Sequence, residues 1–336
     1  MRNAWALLAA LALASAAGAK SPEPRALFAS DVPIHVTIEG PMALLASNRA
    51  QVPRPATMTV DGVPYPITLT TRGITRRSAA TCDFPPLRVT LTRPAPPGSL
   101  FEHQHHLKLV THCRRSADFQ QKVLLEYSAY LLYNKMTEQS FRARLANIDY
   151  RDEDGRPYIS RVGFFLEDFS DVAKRNGMAP AHLPDTIAGS MLDPASSARF
   201  AVFEYMISNY DWSMRAGPKG QPCCHNSRPL ALGSTGEIIP VPYDFDWSGL
   251  VDAPYSGVPD GIPVSNVRQR TFRGYCAHLS QARAFAASLA PRRNEFLGVF
   301  ATVPGLDSRN QRNAVSYIND FFNDLETGKI FKNCVR

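Results

Sequence analysis

Asp244 and Asp246 stand two residues apart just after an apolar run, Ile238 to Val241, in the stretch Pro240-Val241-Pro242-Tyr243-Asp244-Phe245-Asp246-Trp247-Ser248-Gly249. A strand ending in a small-residue turn delivers its last side chains to a cleft. Paired carboxylates at such a place suit a hard divalent cation such as Mg²⁺. Upstream, Asp211 is a lone acid in a polar segment, Asn209-Tyr210-Asp211-Trp212-Ser213. Phosphoryl transfer needs this division of labour: one carboxylate at the acceptor hydroxyl, another at the metal that bridges the phosphates. Asp211 is the candidate catalytic acid, and Asp244 and Asp246 are candidate metal ligands. The simpler reading, in which the two later acids only cap a turn, has to be weighed against the rest of the chain.

Other chemistries find little support. The chain has no G-x-S-x-G elbow, no Walker phosphate loop, no H-E-x-x-H and no G-x-G-x-x-G. Cys223-Cys224-His225 lacks the two-residue spacer of a zinc pair, because adjacent side chains diverge. His103, His105, His106 and His112 read as a polar strand edge before they read as a metal site.

The N-terminus bounds the setting. Met1-Arg2-Asn3 carries one positive charge and runs into an apolar block, Ala4 to Ala17, followed by the small-x-small site Ala17-Gly18-Ala19. This predicts a secretory signal peptide over residues 1–19, too short for a membrane anchor. The remainder is then exported, periplasmic or secreted, with no integral membrane segment. The formal net charge of +7 is spread along the 336 residues. No Lys/Arg run exceeds two, which argues against a nucleic-acid partner and allows anionic ones. Six cysteines, Cys82, Cys113, Cys223, Cys224, Cys276 and Cys334, predict disulfides in an oxidising compartment, with the pairing left open.

The elements that must position the acids fall into two runs. From Pro33 to Val110 apolar residues alternate: Ile34, Val36 and Ile38; Met58 and Val60; Ile67 and Leu69; Leu87, Val89 and Leu91. Asp61-Gly62 marks a hairpin turn. A long helix is predicted over Ala117 to Met136, then strands near Arg142 to Tyr150 and Tyr158 to Glu167. Asp193-Pro194 starts another helix, Pro291 breaks or kinks a later one, and Asp307 caps a last one that stops at Gly328.

Five segments in this order carry a resemblance: Arg72-Gly73-Ile74-Thr75-Arg76-Arg77 after a strand, a long helix containing Glu126, Val162-Gly163-Phe164-Phe165-Leu166-Glu167, Asn209-Tyr210-Asp211, and Pro242-Tyr243-Asp244-Phe245-Asp246. From about residue 30 to 260 the chain resembles the CotH (spore coat protein H)-like secreted atypical protein kinases. The resemblance implies an α+β, protein-kinase-like two-lobed fold within a single domain, 20–336. Residues 20–170 would form a β-rich N-terminal lobe with one long helix, and 171–336 a mainly helical C-terminal lobe. It also implies ATP, with Mg²⁺ or Mn²⁺, as cofactors, and transfer of the γ-phosphate to Ser/Thr of a protein substrate in the cell envelope or outside the cell. Carried onto this chain, it makes Asp211 the catalytic-loop acid, Asp244 the metal-holding acid, and Asn226 a further metal ligand. Arg72, Lys108 and Glu126 fall on the cofactor side. Glu126 sits beside apolar helix positions and so requires a cation; Lys108 is the expected partner, with Arg88 the rival. Glu167 reads as solvated, or else as part of a hinge.

The chain departs from the family pattern at Ile74-Thr75-Arg76 and at Phe84-Pro85-Pro86-Leu87-Arg88, where a lysine pair is usual. That departure motivates an alternative, a non-catalytic kinase-like surface or envelope binding protein. A third class, a carboxylate-metal hydrolase, would use Asp211, Asp244 and Asp246 on a bound water without ATP. The oligomeric state is not encoded in any feature of the sequence.

Overall fold

The computed structural model describes residues 23–232 and 236–336. The segment expected to be a signal peptide, 1–19, lies outside them. The first strands follow from their alternation. In β1 (Ile34–Glu39) Ile34, Val36 and Ile38 point inward while His35 and Glu39 face solvent. After a short helix α1 (Met42–Ser47), β2 (Arg54–Val60) and β3 (Val63–Thr71) form a hairpin. Its two-residue turn, Asp61 and Gly62, has φ of 50° and 76°. Both are left-handed, as the twist of such a turn requires, and both residue types tolerate it.

β4 (Leu87–Leu91) and β5 (His106–Val110) extend the sheet. Helix α2 (Ala117–Asn134) follows, then the long hairpin β6 (Ala143–Arg151) and β7 (Pro157–Leu166). β7 pairs with β5, and β1 pairs in parallel with β6, from Ile34↔Ala146 to Glu39↔Arg151. The seven strands therefore close into a barrel in the order β1-β2-β3-β4-β5-β7-β6. Gly163 permits one of these contacts: a Cβ there would lie 2.7 Å from the Val110 carbonyl oxygen of the neighbouring strand.

The rest of the chain packs outside the barrel. It comprises α3 (Phe169–Arg175), β8 (Ala179–Pro180), α4 (Pro194–Ile207), β9 (Ser227–Leu232), β10 (Glu237–Pro242), α5 (Leu279–Leu289), α6 (Arg293–Gly298) and α7 (Ser308–Glu326). β8, β9 and β10 form a separate three-stranded antiparallel sheet. Helices α4 and α7 start as their caps demand, with Asp193 accepting from Ser196 N–H and Asp307 from Asn310 N–H. Two main cores result. One fills the barrel around Val36, Leu69, Val89, Leu109, Ile148 and Phe165. The larger one joins α2 to α4 and α7 through Tyr133, Phe203, Phe245, Phe321 and Phe322.

The expected two-lobed kinase-type fold with a mainly helical second lobe is not what the chain forms. Closure of the barrel is the first reason. Alternation within a strand reports which face is buried but not which distant strand it joins, so the parallel β1–β6 seam leaves no local trace. The second reason lies in residues 171–336, which carry the three-stranded sheet and an irregular stretch, 243–275, with no helix or strand. The larger core also draws on α2 and on Phe164 and Leu166 of β7, so it crosses the boundary expected near residue 170.

All six cysteines are paired, as Cys82–Cys113, Cys223–Cys224 and Cys276–Cys334. No described helix is long and apolar enough to cross a membrane.

Candidate functional site: three converging carboxylates and an Asp-His-Asn cluster

The turn after β10 is built to present acids. Asp244 has φ of 67° and its backbone N–H donates to the Tyr130 hydroxyl of α2 at 3.0 Å. Phe245 is fully buried against Tyr130 and Phe203, with ring centroids 4.6 and 5.2 Å away. Anchored there, it leaves the acids on either side free to turn the other way. Asp246 is itself buried and accepts from the Tyr255 hydroxyl at 3.0 Å.

Glu126, on α2, completes the group. Potential ligand oxygens of Glu126, Asp244 and Asp246 all lie within 4.8 Å of one another, the one such convergence of potential metal ligands among the described residues. Burial first, then the neighbouring Asp244, pushes the Asp246 carboxyl up to about 7. Burial also raises Glu126 well above the usual carboxylate range, against the pull of Arg76. One Glu126 oxygen, Oε1, is buried with no hydrogen-bond partner. Hard oxygen donors, mutual repulsion and an orphaned carboxylate oxygen fit a divalent cation.

The cation beside Glu126 is not the expected one. Arg76 Nη1 pairs with Glu126 Oε2 at 3.2 Å while its Nη2 donates to the Thr111 carbonyl at 2.6 Å. Lys108 instead lies 4.3 Å from the centre of the Tyr243 ring. Burial, then Arg72 and Arg228, lowers its amine to about 7. Arg88, directly opposite Lys108 on β4, is exposed on the barrel wall. Lys108 stands only eighteen positions before Glu126 in sequence, yet the fold pairs Glu126 with a residue fifty positions upstream.

Asp211 follows the left-handed end of α4 at Ser208, and Asn209 Oδ1 accepts its N–H at 3.1 Å. Trp212 packs edge-on to Phe200 and donates to the Asn209 carbonyl, holding the loop. Across it, His225 Nε2 lies 2.7 Å from Asp211 Oδ1. Asn226 Nδ2 donates to Asp211 Oδ2 at 2.9 Å and to the Asp211 carbonyl at 2.6 Å. Asn226, expected at the metal, thus applies its amide nitrogen to Asp211. The hydrogen bond with Asp211 raises the His225 pKa above its ordinary value.

A cavity of about 510 Å³ brings most of these groups together. Arg72 to Arg76 and Pro86 line it from the barrel side. Asp211, Cys223 to Asn226, Arg228, Tyr243, Asp244, Asp246 and Trp247 line it from the other. Glu126 lies behind Arg76 and Asp246, around a much smaller cavity that both also line. Lys108 stands behind Tyr243.

Other expectations resolve differently. Glu167 is neither solvated nor free to act as a hinge: it is buried, accepts from Arg175 Nη2 at 3.0 Å and takes the Arg142 N–H at 2.9 Å. The four histidines do not converge; His103, His105 and His106 lie at the barrel surface and His112 is buried against Phe84. Arg76, His225 and Arg228 escaped the sequence reading. Arg76 stood in the quoted arginine-rich motif and His225 beside Asn226, so the signal was present without a way to rank it. The chain matches no protein-family model and no curated protein.

Proposed function

We propose that this chain is an exported, metal-dependent phosphotransferase that moves the γ-phosphate of ATP to Ser/Thr hydroxyls of envelope or secreted proteins, as its resemblance to the CotH-like kinases implies. The reading rests on the site and not on the fold. The observation that carries it is the meeting of Glu126, Asp244 and Asp246 beside a cavity that also holds Asp211 and the cations Arg72, Arg76 and Arg228. Glu126, Asp244 and Asp246 would hold the Mg²⁺ or Mn²⁺. A divalent ion bound there supplies neutralisation of the phosphate charge. Arg72 and Arg228, facing the cavity from its two sides, make no ion pair with a carboxylate among the described residues and suit a polyphosphate. Asp211, lining the same side of the cavity as Asp244, belongs to the part of the site that would receive the acceptor hydroxyl. Complete pairing of the cysteines supports an oxidising compartment, and hence export.

The test is transfer of γ-labelled phosphate from ATP to a Ser/Thr-containing protein with Mg²⁺ or Mn²⁺. Asp244→Asn keeps the volume and removes the charge, so transfer should fall by roughly two orders of magnitude or more. Equal transfer by wild type and Asp244→Asn would reject the site. Wild-type protein that binds ATP and metal without transferring phosphate would be a non-catalytic binding protein.

A further inference from the structure

Both carboxylate oxygens of Asp211 are already engaged, Oδ1 by His225 and Oδ2 by Asn226. An acceptor hydroxyl entering the cavity therefore meets an acid whose side chain is held from two sides. The imidazole is differently placed. His225 lines the cavity, its side chain is 34% exposed, and Nδ1 makes no hydrogen bond among the described residues. Its backbone is fixed on both sides, since His225 N–H donates to the Ala216 carbonyl and Ser213 N–H to the His225 carbonyl. A carboxylate on one ring nitrogen sets the tautomer and leaves the other nitrogen as an acceptor.

We infer that His225 is a catalytic residue, the proton acceptor for the incoming hydroxyl, and that Asp211 orients its ring. This rests on the phosphotransferase reading. The acceptor O–H bond breaks and its proton passes to His225 Nδ1. The oxygen forms a bond to the γ-phosphorus as the bond to the bridging oxygen of ADP breaks, with its electron pair leaving on ADP. The imidazolium, paired with Asp211, then loses its proton to solvent.

His225→Gln separates this role from a structural one, because the glutamine amide can still donate to Asp211 but cannot take up a proton. Transfer should fall ~100-fold or more, while the rise in unfolding temperature caused by ATP with Mn²⁺ stays as in wild type. Millimolar imidazole should restore part of the activity of His225→Ala and none to Asp211→Asn. Independently of turnover, proton NMR of the unliganded protein should show a strongly deshielded Nε2–H resonance that is lost in His225→Gln and Asp211→Asn. Transfer by His225→Gln at the wild-type rate overturns the inference and leaves the phosphotransferase reading standing. Loss of the ATP–Mn²⁺ shift in His225→Gln, no rescue by imidazole, or no such resonance in wild type also overturns it. Wild-type protein without any transfer overturns both.

Discussion

Glu126 sits under 2% exposed between one arginine and two aspartates, an arrangement that is costly unless each charge is answered. Arg76 answers one oxygen, and the second is buried with no hydrogen-bond partner among the described residues. Arg76→Leu strands the acid, so denaturant unfolding should show a loss of about 3–5 kcal/mol; a loss below about 1 kcal/mol would mean that the pair is not formed. His112 provides a pH test away from the acids. Burial, then Arg161, Arg115 and Arg76, lowers its pKa to about 3. The unfolded chain takes up a proton near the ordinary histidine value while the folded one does not. Stability from this group is therefore full above about pH 6.5 and is lost as pH falls toward 3. His112→Phe should flatten that part of a stability-against-pH curve, and an unchanged slope would contradict it. At this scale the acids were legible in sequence, because a carboxylate pair after an apolar strand stands out. Their partners were not. Arg76 and His225 owe their roles to contacts 50 and 14 residues away, and no local pattern ranks one arginine of a cluster above the next.

Among the elements, the connection between β3 and β4 carries Arg72 and Arg76 to the cavity, and the Cys82–Cys113 bridge ties that connection to the end of β5. Closing a loop of 31 residues stabilises the fold by about 3–4 kcal/mol in the chain-entropy picture. Cys82→Ala/Cys113→Ala should lose stability of that order in denaturant titration and should weaken ATP–metal binding as well. Unchanged binding would show that Arg76 is held without the bridge. Phe245 does comparable work from inside the core. Phe245→Ala should cost about 3–5 kcal/mol and loosen Asp244 and Asp246 together, visible as weaker stabilisation by Mn²⁺. Elements were the most legible level. The Asp61-Gly62 turn, the long α2 and the Asp193 and Asp307 caps all follow from local chemistry that acts in the same way wherever the element is placed.

At the scale of the whole molecule, the barrel and the second core meet along α2 and β7, and the site lies where the β3–β4 connection faces the β10 turn. That assembly was the least legible. Alternation in β1 and β6 could not announce that the two strands pair over more than a hundred residues, and the irregular stretch 243–275 has no periodicity to read. The two-lobed expectation failed for this reason, while the acids it was meant to position still meet. Their meeting gives the central claim a direct test: thermal unfolding of the wild type and of Asp244→Asn, with Mn²⁺ and ATP together and with each alone. A ligand bound only by the native state stabilises it by about 2.7 kcal/mol at a hundredfold excess over Kd. The account predicts that metal and ATP together raise the wild-type unfolding temperature, that ATP alone does so far less, and that Asp244→Asn loses the rise. No rise in the wild type, or the same rise in Asp244→Asn, would contradict it.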